Sequence, residues 1–440
     1  MATEITLGTF GTQGGKTVLT GGASKIDTKG LIESLAAAKR APAVRLETTN
    51  KTIDTQTKAL NELKTLFTKF QASVDVLRNP SGVAVDSKNI FQYRTASLTS
   101  STGAIASSYL DVTVQPGALA QSYTIDSITQ LATQTKQQSG NILVANSNLA
   151  SAVTANGAPT PGLFQAGTVN IRAIDGTVGG IPLTLTQGDS LDSLAAKFNE
   201  VSGRTGIQAS VLNVGSGTFK LIFTSTKTGT ASDFDLSLTS PAPNAGIVSD
   251  ASGVFSAFVL NAPTAAQDAM FSLNGVPLTR SSNSVSDAIS GVTFNLKQPA
   301  IPGYITVNVE PDTTIVGNAI TAFADAYNAL RIFASKQSQL DENSQPTEDA
   351  VLYNNSTFRN MVDQVSTEIT RVVSGITGGN PKQLSDIGLS LDNFTGDEEN
   401  PATKNILTID SDKLTSLMKS NFNGIRKVFE YQQISDNSNF

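Results

Sequence analysis

Carboxylates are the residues in this sequence with the best claim to chemistry. Asp397-Glu398-Glu399 and Asp410-Ser411-Asp412 each gather acidic groups within three positions. Paired carboxylates do glycosidic acid–base work when one holds a proton and the other does not. Both runs also have a plainer reading. The first lies among Asn, Pro and Gly, the composition of a solvated turn. The second stands just before a helical pattern, where aspartates cap backbone N–H groups and meet the positive end of the helix dipole. Calcium at Asp410 and Asp412 is disfavoured, since the run lacks the glycine and terminal glutamate of an EF-hand loop. With 0 Cys and 0 His in the chain, disulfides, thiolate and imidazole metal sites, cysteine nucleophiles and Ser–His–Asp triads are excluded. No catalytic residue, cofactor or metal site is assigned, and the chain is not expected to be an enzyme.

What the sequence does specify is a long helix. Leu46, Ile53, Leu60, Phe67 and Val74 recur at every seventh position, and Leu63, Phe70 and Leu77 form a second row three residues on. Two rows at this offset make the a/d seam of a coiled coil. A stripe this narrow, surrounded by Thr, Gln, Lys and Asn, cannot form a core by itself. The helix needs a partner from this chain or from a neighbour. At ~1.5 Å per residue the stretch spans on the order of 50 Å. Ahead of it, Asp27 and Thr28 are N-cap types before Leu31, Ile32, Leu35 and Ala38. Pro42 is expected to break or kink this helix at Ala41, and Asn79-Pro80-Ser81-Gly82 to end it. Residues 1–25, rich in Gly and Thr and without periodicity, read as a disordered tail.

A length of 440 residues suggests about three domains. The net charge is −6 and no block of Lys or Arg occurs, which argues against a nucleic-acid partner. No apolar run approaches the ~18 residues of a membrane span, so membrane insertion is not expected. The opening residues lack a basic segment followed by an apolar one, so a cleaved Sec signal is not expected. Freedom from cysteine also suits a chain exported unfolded.

Between about 89 and 296 the pattern changes to short alternating strands separated by Thr, Ser and Gly turns, with clear candidates at 108–114 and 122–128. Residues 145–162 read as a surface loop. Two segments look alike. The first has strands at 168–173 and 181–186, a short helix from Asp189-Ser190-Leu191 through Phe198, and strands at 208–212 and 219–225. The second has strands at 269–273 and 276–279 around Asn274-Gly275, a helix start at 284–289, a turn at Gly291 and a strand at 292–296. They suggest two related small modules. After Pro311 helices return, at 316–335 and 358–373, and from 413 to Phe429 after a strand at 406–409.

The fold expected is therefore multidomain α+β: N- and C-terminal helices forming a coiled-coil or bundled stalk, with a β-rich head of two small modules inserted. The boundaries expected are a disordered tail at 1–25, a helical coiled-coil segment at 26–80, and a helix-containing stalk domain from 81–130 and 297–440. The head modules are placed at 131–235 and 236–296.

Four stretches resemble the flagellar filament cap family, also called hook-associated protein 2 or FliD. They are Ile26-Asp27-Thr28 through Arg40-Ala41-Pro42; Phe271-Ser272-Leu273-Asn274-Gly275 followed by Ser282-Asn283-Ser284-Val285, Asp287-Ala288-Ile289 and Gly291-Val292-Thr293; Phe323-Ala324-Asp325-Ala326-Tyr327-Asn328-Ala329-Leu330; and 384–389 with 409–414. Residues 168–225 are more loosely similar to a flagellar hook IN module. Members of the family usually carry a second long helix that returns to pair with the seam helix. This sequence reaches Phe440 where that helix would be approached, so the seam residues are expected to lack that intrachain partner.

The resemblance implies a structural role: export through the flagellar type III channel, a small ring-like homo-oligomer at the filament tip, and help to arriving flagellin as it folds and inserts. It implies an extracellular location, with flagellin, a flagellar export chaperone and hook–filament junction proteins as partners. The residues expected to contact other subunits or the filament are Leu46, Ile53, Leu60, Leu63, Phe67, Phe70 and Val74. Phe271, Asn274, Gly275, Asp287, Tyr327 and Asn328 carry the family motif and read first as packing and turn residues. Two alternatives stand beside the cap. One is a flagellum-tip adhesin for host glycans or mucin, with exposed Tyr or Asn clusters in 145–260 as the place for a site. The other is a hook–filament junction protein.

Overall fold

A computed structural model describes residues 9–20, 28–78, 89–142, 166–174, 180–186, 189–237, 246–251, 259–392 and 405–430. In chain order it opens with a hairpin, β1 (Thr9–Gln13) and β2 (Lys16–Thr20), and a 50-residue helix, α1 (Thr28–Leu77). Strands β3 (Arg94–Ser100), β4 (Leu110–Val114), β5 (Ser122–Gln130) and β6 (Lys136–Gln138) follow. Next come β7 (Gly167–Arg172), β8 (Ile181–Leu185), α2 (Leu191–Glu200), the single turn α3 (Ser202–Thr205), β9 (Ile207–Gly215), β10 (Thr218–Ser225) and β11 (Gly246–Asp250). Strands β12 (Ala269–Leu273), β13 (Val276–Arg280), β14 (Ser284–Ile289), β15 (Val292–Leu296) and β16 (Ile305–Pro311) complete the β-rich part. The chain continues through α4 (Thr313–Lys336), α5 (Ser356–Ile369), β17 (Leu389–Asp392), β18 (Ile406–Ile409), α6 (Ser411–Ser420) and α7 (Phe422–Glu430).

Two compact units result, one from residues 1–80 and 317–440 and the other from 81–316. In the second unit a five-stranded sheet runs in the order β13-β12-β5-β16-β3, and a three-stranded sheet in the order β14-β15-β4. Alternating burial along β5, β12, β15 and β16 turns Tyr123, Ile125, Phe271, Phe294 and Val307 into one core. Tyr123 meets Phe294 edge-on, with ring centroids 6.4 Å apart, a favoured aromatic geometry. A separate core lies within the same unit. There α2 packs on sheets β11-β7-β8 and β6-β10-β9 through Leu191, Leu194 and Phe198, whose ring lies 5.0 Å from that of Phe223.

This layout corrects the expected boundaries. Strands β3, β4 and β5 pair with β12, β15 and β16, so residues 89–130 and 297–311 belong to the β-rich unit rather than to a stalk domain. Backbone N–H and C=O groups on a strand must be paired, and β3 and β5 find partners in β12 and β16, well over a hundred residues downstream and beyond the reach of local patterning. The chain between β5 and β12 forms the separate core, inserted into the first one.

Three local readings are also corrected. Residues 284–289 form strand β14, in which Val285 pairs with Phe294 and Ile289 with Val292; six residues are too few for a stable helix, and the sheet partner was close at hand in sequence. Part of the expected disordered tail is the β1–β2 hairpin, turned by Gly14 and Gly15 at φ 62° and 79°, conformations that suit a two-residue hairpin turn. Helix α1 runs unbroken through Pro42. All residues from 32 to 58 are exposed, so water can satisfy the carbonyl that a proline leaves without a donor. Downstream, the expected single helix from 413 to 429 is two, because the Asn421 side chain accepts from the Gly424 N–H and starts α7 anew. Asp27, residues 79–82 and the surface loop at 145–162 lie outside the described residues.

The start of α2 carries a buried charge. Ser190 and Ser193 cap each other reciprocally, at 3.1 Å and 2.8 Å. Asp189 accepts from the Thr186 N–H at 2.7 Å, the Ser193 hydroxyl at 3.0 Å and the Lys197 ammonium at 2.6 Å. Burial alone would raise its carboxyl, but these donors together hold it below the usual aspartate range. An aspartate lowered in the fold gives stability that is complete above its unfolded value and is lost as pH falls through the folded one. Asp189→Asn is therefore expected to cost about 2 kcal/mol at neutral pH. In urea melts across pH, the gap from wild type should close below about pH 4; a gap that stays constant into acid would remove the charge as its cause. The unit itself should fold alone: a fragment of residues 81–316 is expected to melt cooperatively, and a broad, non-cooperative transition would contradict that.

Candidate functional site on the long helix

Helix α1 divides in two at Ala59. Toward its C-terminal end, Ala59 and Leu63 are buried against Leu330, Phe333 and Ala334 of α4, Leu352 in the connection, and Phe358 and Val362 of α5. Phe67 is half-buried against the same cluster. The Phe70 ring lies 5.6 Å from Phe323 and 6.2 Å from Tyr327. Ahead of Leu63 the first row faces water. Leu46 is 65% exposed, Ile53 53% and Leu60 44%, against 4% for Leu63. Ile32, Leu35 and Val44 are exposed as well. At the divide, the Gln56 amide donates to the Val351 carbonyl at 3.3 Å.

The expectation that the whole seam lacks an intrachain partner is thus corrected for Leu63, Phe67 and Phe70, which pack against α4 and α5. Leu46 and Ile53 are exposed, and Leu60, partly exposed, lines a pocket with Gln56, Val351 and Leu352. Val74 stands between the groups: it is half-buried and lines an apolar groove of about 460 Å³. Phe70, Phe323, Met361, Val365 and Phe429 of α7 line it too, together with Gln364, Glu368 and Arg371. Sequence reading missed the α5 side of this groove. Its signal was a stripe wider than one contact needs: Phe358 and Val362 fill the core, while Met361 and Val365 line the open face.

The family-motif residues hold the fold together. Phe271 is buried in the β core. Asn274 and Gly275, at φ 50° and 76°, turn β12 into β13. The Asn274 side chain accepts from the Thr124 N–H at 2.7 Å, and the Gly275 N–H donates to Asp126 at 2.6 Å. Asp287 takes the Arg280 guanidinium on both carboxylate oxygens at 3.0 and 2.9 Å, and that bond holds its carboxyl below the usual range.

Tyr327 and Asn328 pin the β17–β18 hairpin to α4. The Asn328 amide donates to the Leu407 carbonyl at 2.9 Å and accepts from its N–H at 2.7 Å, as a neighbouring strand would. The Tyr327 hydroxyl lies 3.1 Å from both Ser366 Oγ and the Asn405 carbonyl. Burial pushes its phenol above the ordinary tyrosine value, only partly offset by Ser366 and the nearby Arg331 charge.

The second acidic run serves as a helix cap. Asp410 is the N-cap of α6, accepting from the Lys413 N–H at 3.0 Å, and Asp412 follows in the first turn. Asp397, Glu398 and Glu399 lie outside the described residues. Among the described residues no group of three or more acidic side chains is placed to hold a metal ion, and no helix is long and apolar enough to cross a membrane. What stands out among the described residues is an apolar surface along helix α1.

Comparison with known proteins agrees with that geometry. Residues 24–135 match the family profile described as flagellar hook-associated protein 2 N-terminus, residues 266–440 the C-terminus of the same family, and residues 168–227 the flagellin hook IN motif. The first two flank the inserted core and the third falls inside it. The A-type flagellar hook-associated protein 2 of Pseudomonas aeruginosa is 26% identical over 94% of this chain and 80% of its own length. Flagellar hook-associated protein 2 of Escherichia coli K12 is 28% identical over 91% and 78%. A crystal structure of the D1-D2-D3 domains of the Escherichia coli flagellar cap protein FliD superposes with a TM-score of 0.56 at 22% identity, covering 86% of this chain and 92% of that one, which establishes a shared fold. This chain belongs to the flagellar hook-associated protein 2 family, the flagellar cap proteins.

Proposed function

We propose that the chain works as an exported structural cap at the filament tip, where copies of it oligomerise and help arriving flagellin subunits fold and insert. The observation that carries this reading is the divided seam. A helix whose C-terminal part is anchored in its own core, and which presents Leu46 and Ile53 to water in the same register, is built to be completed by a further helix. Scattered exposed apolar residues need no explanation, but a row of them at heptad spacing marks an interaction surface. Flagellin and neighbouring copies are the partners that this surface serves. An export chaperone and the hook–filament junction proteins are further partners consistent with membership of the family. The motif residues Phe271, Asn274, Gly275, Asp287, Tyr327 and Asn328 act on this reading through the fold, not as a contact surface.

The test is made in cells with the native chromosomal gene replaced. A strain carrying Leu46→Asp with Ile53→Asp is expected to shed unpolymerised flagellin into the medium and to carry hooks with few filaments, as a deletion strain would. The purified variant should keep the wild-type melting temperature, because both positions are exposed. Leu63→Ala, in contrast, should lower stability by about 2–5 kcal/mol. Normal filaments without leakage in both the deletion and the double-variant strain would overturn the capping role.

A further inference from the structure

The turn from β12 into β13 carries a chemical liability that the fold itself imposes. A two-residue hairpin turn with φ above zero at both central positions favours asparagine followed by glycine, and Asn274 and Gly275 stand there at φ 50° and 76°. The same pair is open to deamidation, because asparagine is thermally labile. The Gly275 backbone nitrogen attacks Cγ of Asn274, and a cyclic imide closes as the Cγ–Nδ2 bond breaks. Ammonia leaves with the backbone proton. Water then opens the imide at either carbonyl, giving aspartate or isoaspartate. Glycine offers the attacking nitrogen no cover: a Cβ on Gly275 would meet nothing within 4 Å. Both residues are exposed to water.

What opposes the reaction is strand β5. The attacking nitrogen must give up its proton, and the Gly275 N–H is held by the Asp126 carboxylate at 2.6 Å. A negative charge beside a proton makes its loss harder, and a charged acceptor bonds roughly twice as strongly as a neutral one. The carbon under attack is held as well. The Asn274 side-chain oxygen accepts from the Thr124 N–H at 2.7 Å, while the Asn274 N–H donates to the Thr124 carbonyl at 2.8 Å. Swinging Cγ onto Gly275 breaks the first of these bonds. The Ser272 hydroxyl adds a bond of 3.2 Å to the same Asp126 oxygen.

We propose that Asn274 is a latent deamidation site and that Asp126 keeps it closed. Conversion would place a second carboxylate near Asp126. As isoaspartate it would also add a methylene to the main chain of a turn that sets the register from Leu273 and Val276 to Ala269 and Arg280. An internal reference lies in the other unit, where the Gly424 N–H of Asn423-Gly424 donates to the neutral Asn421 side chain at 3.0 Å.

The test uses full-length wild type, Asp126→Ala and Ser272→Ala, incubated at mildly alkaline pH, with circular dichroism melts showing that each is folded at that temperature. Peptide mass mapping follows conversion of Asn274 and Asn423. Asp126→Ala is expected to speed conversion of Asn274 about tenfold to a hundredfold, the worth of one charge-assisted hydrogen bond, and to leave Asn423 at the wild-type rate. Ser272→Ala spares the Gly275 bond and should stay close to wild type. Should Asp126→Ala misfold, Asp126→Asn takes its place, with a smaller acceleration because a neutral acceptor remains. A folded Asp126 variant that converts no faster than wild type would overturn the proposal, and a slower one would make Asp126 the base for the reaction. Equal acceleration by Ser272→Ala would reduce the effect to a loosened turn and remove the guard. Wild type that converts as fast folded as in urea would show that nothing protects the site.

Discussion

The packing of Leu63, Phe67 and Phe70 on the apolar faces of α4 and α5 is the contact on which the helical unit depends. Isolated helices are marginal in water, and most of their stability comes from burying one face. Helix α1 is 50 residues long but finds that burial only beyond Ala59. Its exposed part carries Thr48, Thr49, Thr52 and Thr55, each hydroxyl donating to the carbonyl four residues back. Such bonds satisfy side chains locally but add little to helix stability. The anchored end must therefore hold the free end in place. That is why the hydrogen bonds around α4 matter to function although they touch no partner: Asn328 and Tyr327 keep the β17–β18 hairpin against α4, and α4 supplies Leu330, Phe333 and Ala334 to the anchor.

The β-rich unit solves a different problem. Its two cores lie in one stretch of chain, and each closes with its own aromatic contact, Tyr123 with Phe294 and Phe198 with Phe223. Turns at Asn274-Gly275 and Gly291 let neighbouring strands pair locally, while β3 and β5 wait for β16. Pairing across such a sequence distance pays loop-closure entropy before any contact rewards it. Within the inserted core, β7 with β8 and β9 with β10 are neighbours in sequence and can pair without waiting for the rest.

Periodicity revealed the elements better than it revealed their partners. The seven-residue repeat found α1, and strand alternation found β5, β7, β8, β10, β12 and β15, because those signals are local. Ser284 to Ile289 was misread because Ser and Asp ahead of Ala and Ile imitate a capped helix start, whereas Val285 answers to Phe294 across the turn. The Gly14-Gly15 hairpin was hidden by low complexity. For the site, the row Leu46, Ile53, Leu60 was legible, but where the seam enters the core was not: Leu60 and Leu63 are both seam positions, yet one is exposed and the other buried. What separates them is the position of Leu330 and Phe358, some 270 and 300 residues away, which no pattern in the helix contains. The groove was less legible still, since the helix at 358–373 reads as one amphipathic stripe, and only the structure shows that Phe358 and Val362 enter the core while Met361 faces the groove.

Composition shapes how this surface can be controlled. The chain has no histidine, the side chain that ordinarily changes charge between pH 5 and 8. The exposed row of α1 is aliphatic, so salt does not screen its principal attraction. Burial of such a surface gains strength through exclusion of water and weakens on cooling. A contact of this kind cannot be switched by modest changes of pH or ionic strength in the medium. What remains to govern it is local concentration and geometry, the number of copies delivered to one place and the surface on which they arrive. On the proposed reading, in which copies assemble at the filament tip, an apolar helix row is the form of adhesion least exposed to the pH and salt of the surroundings.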